Sequence, residues 1–454
     1  MNDLPDDPVA GLARLTGRGR VGLCDLRVPA SLLADGAPAG APVDPDGSAR
    51  VDLLLEDGSV TQVLPAGRLR VDWQVRLGGR QVWPMLPDAH AHLDKGHILG
   101  RAPDSGGTHA GAREATSRDR VAHWRRDDLL RRMDFGLACA EAHGVAAIRT
   151  HLDSHEGQAE ETWAAFATLR DAWSDRVALQ AVALVPVDAY RSDHGARLAD
   201  LVAAQGGLLG GVTRASGGTH GGALDDLDDL LDRLFALARE RDLDIDLHVD
   251  EAAEAGALPH VARATIRHGW QGRVTCGHCC SLALLPEEEA ARTIALVAEA
   301  GLNLITLPTV NMYLQDRQPG RTPRWRGVMP VQELRAAGVP VAVAGDNCRD
   351  PFHAYGDHDM LDTWRQSVRI LHLDHPFADA PALAGPLPAR IMGLDAGSIG
   401  AGRPADLMLF HAWSLDQVIA RPQSDRLLLK NGRFRAIPLP GYDQLEAGVA
   451  GAFA

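Results

Sequence analysis

Between Leu86 and Asp346 the chain repeats one pattern: a short apolar, β-branched run, a polar break, then a longer segment with apolar residues at helical spacing. Eight such runs predict strands, near Met85–His92, Val145–His151, Val177–Val185, Leu208–Thr213, Leu243–Val249, Arg273–His278, Leu302–Pro308 and Val339–Asp346. Helices are predicted between them, among them Asp127–His143, Leu224–Asp242 and Glu287–Ala300, with acidic starts and Gly or Arg near their ends. Eight strand–helix alternations in about 260 residues predict a TIM-type (β/α)8 barrel, although a doubly wound open sheet has the same local signature. Outside this block the texture changes to strand and turn. Val51–Leu55, Val60–Val63 and Leu69–Leu77 alternate before it, and Ala405–Phe410 and Leu427–Lys430 follow it, with Asn431-Gly432 as a hairpin turn. These flanks predict a small β-sandwich domain built from both termini: residues 1–83 and 397–454 around a catalytic barrel at 84–396. The Gly/Ala-rich stretches Asp35–Gly47 and Leu445–Ala454 are expected to be mobile surface chain.

Composition narrows the function classes. The 454 residues are 45% apolar and 23% charged, which excludes a disordered or fibrous chain. There are 46 basic and 60 acidic side chains, a balance of −14, and the basic set includes only two lysines, Lys95 and Lys430. Neither lysine follows a glycine, so the phosphate-loop element is missing, and the acidic balance argues against nucleic acid as a partner. Six cysteines are too few and too scattered for a disulfide framework, which fits a reducing compartment. The acidic N-terminal stretch lacks the features of a secretory signal, and no run approaches about 18 apolar residues. The expectation is a cytoplasmic protein with a small-molecule partner, no membrane and no nucleic acid.

The chemistry gathers at strand ends. The first predicted strand ends Asp88-Ala89-His90-Ala91-His92, and residues i and i+2 share a face, so two imidazoles project together where barrel enzymes place their sites. Such a pair can share a metal ion. The fifth strand ends with Asp246, His248, Asp250 and Glu251, the sixth with His278, and the eighth with Asp346 and Asn347. Glu251 follows His248 by three residues, enough to turn from a metal toward a bound ligand. Cys276 and Cys279 have zinc or redox spacing but read better as packing residues. Lys95 either meets an anionic substrate group or pairs with Asp94; pairing is favoured. His151 and Asp153 either line the pocket or support it.

This constellation resembles the amidohydrolase superfamily, in particular its cytosine deaminase-like branch, from roughly Val51 to Arg433. The segments that carry the resemblance include Pro87–Asp94, Arg149–Asp153, Asp246–Glu251, Val310–Arg317, Arg324–Gly327, Asp346–Phe352 and Gly402–Leu407. The resemblance implies that His90, His92, His248 and Asp346 hold one divalent ion, Zn²⁺ or Fe²⁺. It implies that Glu251 shuttles protons, that His278 orients the attacking water and the tetrahedral centre, and that Asp346 can accept the water's proton. Many members bridge two metals with a carboxylated lysine of the fourth strand, but Leu208–Thr213 contains no lysine, so a single metal is expected. The unrelated deaminase scaffold with His-x-Glu and Pro-Cys-x-x-Cys elements is excluded: no His has Glu two residues on, and Thr275 precedes Cys276.

Two positions depart from the branch. Its third-strand glutamine is replaced at Pro186 or a neighbour, and the aspartate after the eighth-strand ligand is replaced by Asn347. Such changes at a hydrogen-bonding edge alter specificity by about 10⁴ or more. Phe352 falls where the family stacks an aromatic ring on a planar heterocycle. Pro186, Gln315, Asn347 and Phe352 are therefore the expected substrate contacts. The expected activity is hydrolysis of an exocyclic C–N bond of a small N-heterocycle (cytosine-like, pyrimidine or triazine) with release of ammonia or an amine, by an enzyme that assembles as a homo-oligomer. The alternatives are cyclic amide or ester hydrolysis within the superfamily, or a binding protein that kept only the fold.

Overall fold

A computed structural model describes residues 11–13, 19–102, 105–214, 224–253, 256–377 and 379–446. The strands in chain order are β1 (Arg20–Pro29), β2 (Ser48–Glu56), β3 (Ser59–Pro65), β4 (Gln74–Pro84), β5 (Leu86–Ala91), β6 (Val145–Asp153), β7 (Ala178–Leu184), β8 (Leu209–Val212), β9 (Ile245–Val249), β10 (Val274–His278), β11 (Asn303–Thr306), β12 (Val341–Val343), β13 (Leu407–Leu409), β14 (Leu427–Lys430) and β15 (Arg433–Arg435). The architecture is a mixed α/β fold with parallel sheets. The chain divides into two compact units: Met1–Pro87 with Glu141–Ala146 and Asp359–Leu439, and Asp88–Ala140 with Ala147–His358 and Pro440–Ala454.

In the first unit the two flanks join in one seven-stranded sheet, ordered β15-β14-β13-β4-β1-β2-β3. The turn at Asn431 and Gly432 has φ of 48° and 68° at both central residues, the primed geometry that matches strand twist. Leu69–Leu77 does not form the expected strand. The Leu69 amide donates to the buried Asp52 carboxylate (3.1 Å), which also accepts from Gly67 (2.8 Å) and Asp25 (2.9 Å), so a side chain takes the bond a neighbouring strand would need. The strand starts later, at Gln74, and runs to Pro84. Asp35–Gly47 is likewise a chain of turns tied by backbone bonds such as Asp44 to Ser48 (2.8 Å) and by the Arg27–Asp44 ion pair (2.5 Å), not loose chain. Of Leu445–Ala454, residues 447–454 lie outside the described residues.

In the second unit a five-stranded sheet, β12-β11-β10-β9-β8, and a three-stranded one, β5-β6-β7, carry helices between their strands. Every residue of β8, β9 and β10 is buried, including the polar Asp246, His248, Thr275 and His278. Single parallel bridges link Val182 with Leu208 and Ala91 with Asp346. The helices at Arg126–Ala142, Leu227–Glu240 and Glu287–Glu299 open on acidic first turns that complement the helix dipole. A helix at His109–His123 was not among those expected. Among the described residues no helix is long and apolar enough to cross a membrane.

Candidate active site

His90 and His92 leave the end of β5 side by side, His248 comes from β9, and Asp346 follows β12. Backbone bonding fixes their relation: Asp346 N–H donates to the His90 carbonyl (2.7 Å), and the buried Asp88 carboxylate accepts from both His90 (3.2 Å) and Gly345 (3.0 Å). Burial pushes Asp88 up to about 7. The Nε2 atoms of His90 and His248 lie 3.2 Å apart, as do those of His248 and His92, and Asp346 Oδ1 is 3.1 Å from His92 Nε2. Burial, then the neighbouring imidazoles, hold His90 and His248 well below the ordinary imidazole range. Burial would raise Asp346, but the His92 hydrogen bond and nearby imidazole charge outweigh it, so it stays ionised. Three neutral imidazoles and a carboxylate, with ligand atoms within 4.8 Å of one another, are a donor set that a single divalent ion satisfies and that protons alone do not.

Glu251 and His278 face this cluster from β9 and β10. His278 Nδ1 meets the Asn311 amide oxygen at 2.9 Å, which assigns the proton to Nδ1 and directs Nε2 toward Glu251 Oε2, 3.7 Å away. Three residues here take the left-handed backbone region: Asp250 (φ 48°), His278 (φ 70°) and Asp346 (φ 64°). Non-glycine residues held there carry strain, and such strain concentrates at functional sites. Asp250 has a structural reason, because its carboxylate accepts the Ala257 and Leu258 amides (both 3.0 Å) and caps the helix Ala257–His268. Its neighbour Glu251 is thereby turned into the cavity.

That cavity is about 560 Å³ and is lined by His92, His248, Glu251, His278, Asp346, Asn347, Phe352 and Pro186 among others. His90 lies behind it, fully buried, with the His151 ring tilted against it at 3.9 Å between centroids; His151 does not line the cavity. Gln315 also departs from expectation. It is not among the residues that line the cavity, and its amide donates to the Glu251 carbonyl (2.6 Å), which braces the acid. Lys95 pairs with Asp153 (2.8 Å) instead of Asp94, whose carboxylate accepts the Asp153 amide (2.6 Å). Burial would lower Lys95, but Asp153 and Asp94 outweigh it. Asp350 orients the loop beyond β12: it accepts the Asn347 amide (2.7 Å) and the Phe352 N–H (2.8 Å). The thiols of Cys276, Cys279 and Cys280 are buried, free and pushed up chiefly by burial; the metal-competent groups among the described residues do not include them.

The sequence reading missed one wall. His109, Arg113, Thr116, Ser117 and Arg120 all line the cavity from the helix His109–His123, and Arg214 joins them from the loop after β8. Their spacing of i, i+4, i+7, i+8 and i+11 is one helical face, a signal present in the sequence but polar, so a search for apolar periodicity passes over it.

A sequence profile described as the amidohydrolase family matches residues 218–435. The chain is 47% identical over 406 residues to pterin deaminase of Rhizobium rhizogenes, covering 88% of this chain and 91% of the relative. It is 25% identical over 365 residues to N-isopropylammelide isopropyl amidohydrolase of Pseudomonas sp., covering 78% and 86%. Among solved structures, 5-methylcytosine deaminase from Klebsiella pneumoniae superposes with a TM-score of 0.77 at 22% identity, over 93% of this chain and 99% of that one.

Proposed function

The chain belongs to the amidohydrolase family, and from that premise we propose that it is a mononuclear metal-dependent aminohydrolase, a hydrolase of carbon–nitrogen bonds other than peptide bonds, acting on the exocyclic amine of a small N-heterocycle. The observation that carries the reading is the convergence of His90, His92, His248 and Asp346 on one point beside Glu251, His278 and a cavity of about 560 Å³. That volume admits a bicyclic ring as well as a pyrimidine or triazine. The 47% identity to a pterin deaminase puts pterins first among the candidates.

A divalent ion on His90, His92, His248 and Asp346, zinc or ferrous iron by the preference of imidazole-rich sites, would lower the pKa of water toward 7 and polarise the scissile carbon's surroundings. Glu251 gives its proton to the ring nitrogen as water adds to the amine-bearing carbon, then takes the hydroxyl proton of the tetrahedral centre and passes it to the departing amine, which leaves as ammonia while the carbon keeps the water oxygen; the proton held by Asp346 returns Glu251 to its starting state. Asp346 takes the proton that water gives up. His278, its tautomer set by Asn311, presents a bare Nε2 that accepts from the hydroxyl of the tetrahedral centre. Phe352 stacks on the ring, Asn347 and Pro186 border its edge, and Gln315 holds the Glu251 backbone in place. Both lysines are occupied in ion pairs, Lys95 with Asp153 and Lys430 with Asp406 (2.7 Å), which favours one ion over a lysine-bridged pair.

The same reading extends to the architecture and setting. The Val182–Leu208 and Ala91–Asp346 bridges support closure of the two parallel sheets into an eight-stranded barrel over 84–396, with a β-sandwich from residues 1–83 and 397–454. Free buried cysteines support a cytoplasmic setting, and size-exclusion chromatography with light scattering tests the homo-oligomer. The direct test of the activity is ammonia release from pterin, cytosine and aminotriazine by zinc- and iron-loaded protein. Glu251→Gln is expected to cut kcat by about 10²–10⁴ with metal content unchanged; full activity in that variant refutes the role given to Glu251.

A further inference from the structure

A second group of metal-binding side chains lies outside the catalytic cluster. His97, Cys348 and His358 bring two imidazoles and a thiol together, with ligand atoms within 4.8 Å of one another. None of them lines the catalytic cavity, and none belongs to the set His90, His92, His248 and Asp346. The backbone joins the segments that carry them. His97 N–H donates to the Cys348 carbonyl (3.2 Å) and Leu99 N–H to the Arg349 carbonyl (3.0 Å), so the loop after β5 is tied to the loop after β12. His97 (φ 61°), Arg349 (φ 53°) and His358 (φ 54°) all take the left-handed backbone region, a strain that persists where the surroundings or a site demand it. Both ring nitrogens of His97 are buried, and neither has a hydrogen-bond partner among the described residues. Buried polar atoms without partners are rare, and ligation of an ion supplies one. The His97 and His358 rings stand 5.6 Å apart between centroids, and Phe135 meets His97 edge-on at 5.0 Å. Gly136 leaves room for the second ring, since a Cβ there would stand 3.1 Å from His358 Nε2. The Cys348 thiol is buried and free of any disulfide. Asp357, which accepts from the Tyr442 hydroxyl (2.9 Å), adds negative charge beside His97.

We propose that His97, Cys348 and His358 form a second, sulfur-containing site for a divalent transition metal, zinc by preference, which fastens the loop after β5 to the loop after β12. A thiolate with two imidazoles suits zinc and disfavours magnesium or calcium. Three protein ligands leave one tetrahedral position for solvent. On binding, the S–H bond gives way to a sulfur–metal bond and the thiol proton passes to solvent. One thiolate and the nearby Asp357 carboxylate then balance the charge of the ion, as burial requires. The fastening matters to the catalytic site because the loop after β12 carries Asn347 and Phe352, which line the cavity. An ion on Cys348 and His358 holds that loop at two points without touching substrate. With three protein ligands against the four of the catalytic cluster, this site fills second. The proposal does not depend on the aminohydrolase reading, since the ion is recognised without any substrate.

The test is titration of the metal-free full chain with Co²⁺, a stand-in for zinc whose bond to a thiolate gives a near-ultraviolet charge-transfer band that imidazole and carboxylate ligands do not give. Wild-type protein is expected to take two equivalents of Co²⁺ per chain, with the band growing in on the second and disappearing when Zn²⁺ displaces it. Cys348→Ser is expected to abolish the band and leave one equivalent bound, and His97→Gln to weaken the second equivalent by about tenfold or more. Cys279→Ser, whose buried thiol lies outside the cluster, is expected to keep both equivalents and the band. Absence of a thiolate band in wild-type protein overturns the proposal, and that measurement needs no variant to fold. A band that persists in Cys348→Ser also overturns it, because the sulfur then belongs to another cysteine. A single equivalent that carries the band, lost in Cys348→Ser, supports this site and counts against the catalytic metal cluster instead.

Discussion

Gly277 offers a sharp test of the metal cluster, because its only offence on substitution is against one imidazole. A Cβ built at Gly277 meets His90 Cε1 at 2.7 Å and Nδ1 at 2.9 Å. Ordinary carbon contacts start near 3.5 Å, so in Gly277→Ala either the ring or the strand must give by about 0.8 Å. The strand is held on both sides, with Gly277 in register with His248 of β9 and Ile305 of β11. The ring has little room either, since His90 is fully buried and His151 lies 3.9 Å away, centroid to centroid. The Gly277 backbone is not in the left-handed region, so alanine is conformationally acceptable and the fault is steric. Metal sites tolerate ligand displacements of about 0.2 Å, and overpacking costs about 1–3 kcal/mol. The expected result is a loss of about 10–100-fold in metal affinity, at least as large a fall in kcat/KM, and a lower Tm. Metal retained after dialysis against graded chelator, read by elemental analysis beside a melting curve, measures this. Wild-type metal affinity and activity in Gly277→Ala would refute the assignment of His90 as a ligand.

Gln315→Leu removes the donor to the Glu251 carbonyl, a cost of about 1 kcal/mol; kcat is expected to fall several-fold while metal content and KM change little, which steady-state kinetics would show. Chelation of the metal leaves four buried electron-pair donors facing one another, so dialysed protein should melt at lower temperature and recover on adding back one equivalent of ion; a melting curve indifferent to metal contradicts the cluster. Asp128 provides a pH dependence: burial would raise it, but the bonds and charges of Arg101 and Arg132 bring it down to about 2. Its unfolded value is about 3.9, so its stabilisation is full above that pH and is lost as pH falls toward 2. Asp128→Asn should therefore be less stable than wild type at neutral pH, with the difference closing between about pH 4 and 2 in chemical denaturation.

Much of the site was legible because it is local. A His at i and i+2 on a strand, a His and Glu three apart, and a strand ending in Asp346 are statements about spacing within a few residues, and period-two geometry carries them into space. Strand positions were legible from short runs rich in apolar and β-branched residues set between polar breaks. Where reading failed, a distant group had intervened. Leu69 was drawn out of a strand by Asp52, 17 residues earlier. Lys95 ignored its neighbour for Asp153, 58 positions on, and Gln315 turned to Glu251 across 64 positions.

The amino-acid sequence by itself determined the alternation of strands and helices, the four donors of the metal cluster, the acid beside it, and, through two lysines among 46 basic residues, the case for one ion rather than two. Tertiary structure alone decided which cations line the cavity. The helix His109–His123 brings Arg113 and Arg120, and the loop after β8 brings Arg214, to the same cavity, and no local pattern encodes that meeting. The physical reason is that metal ligation here follows from strand geometry, which spacing reports, whereas the charge of the cavity is a sum over long-range neighbours, which only packing brings together.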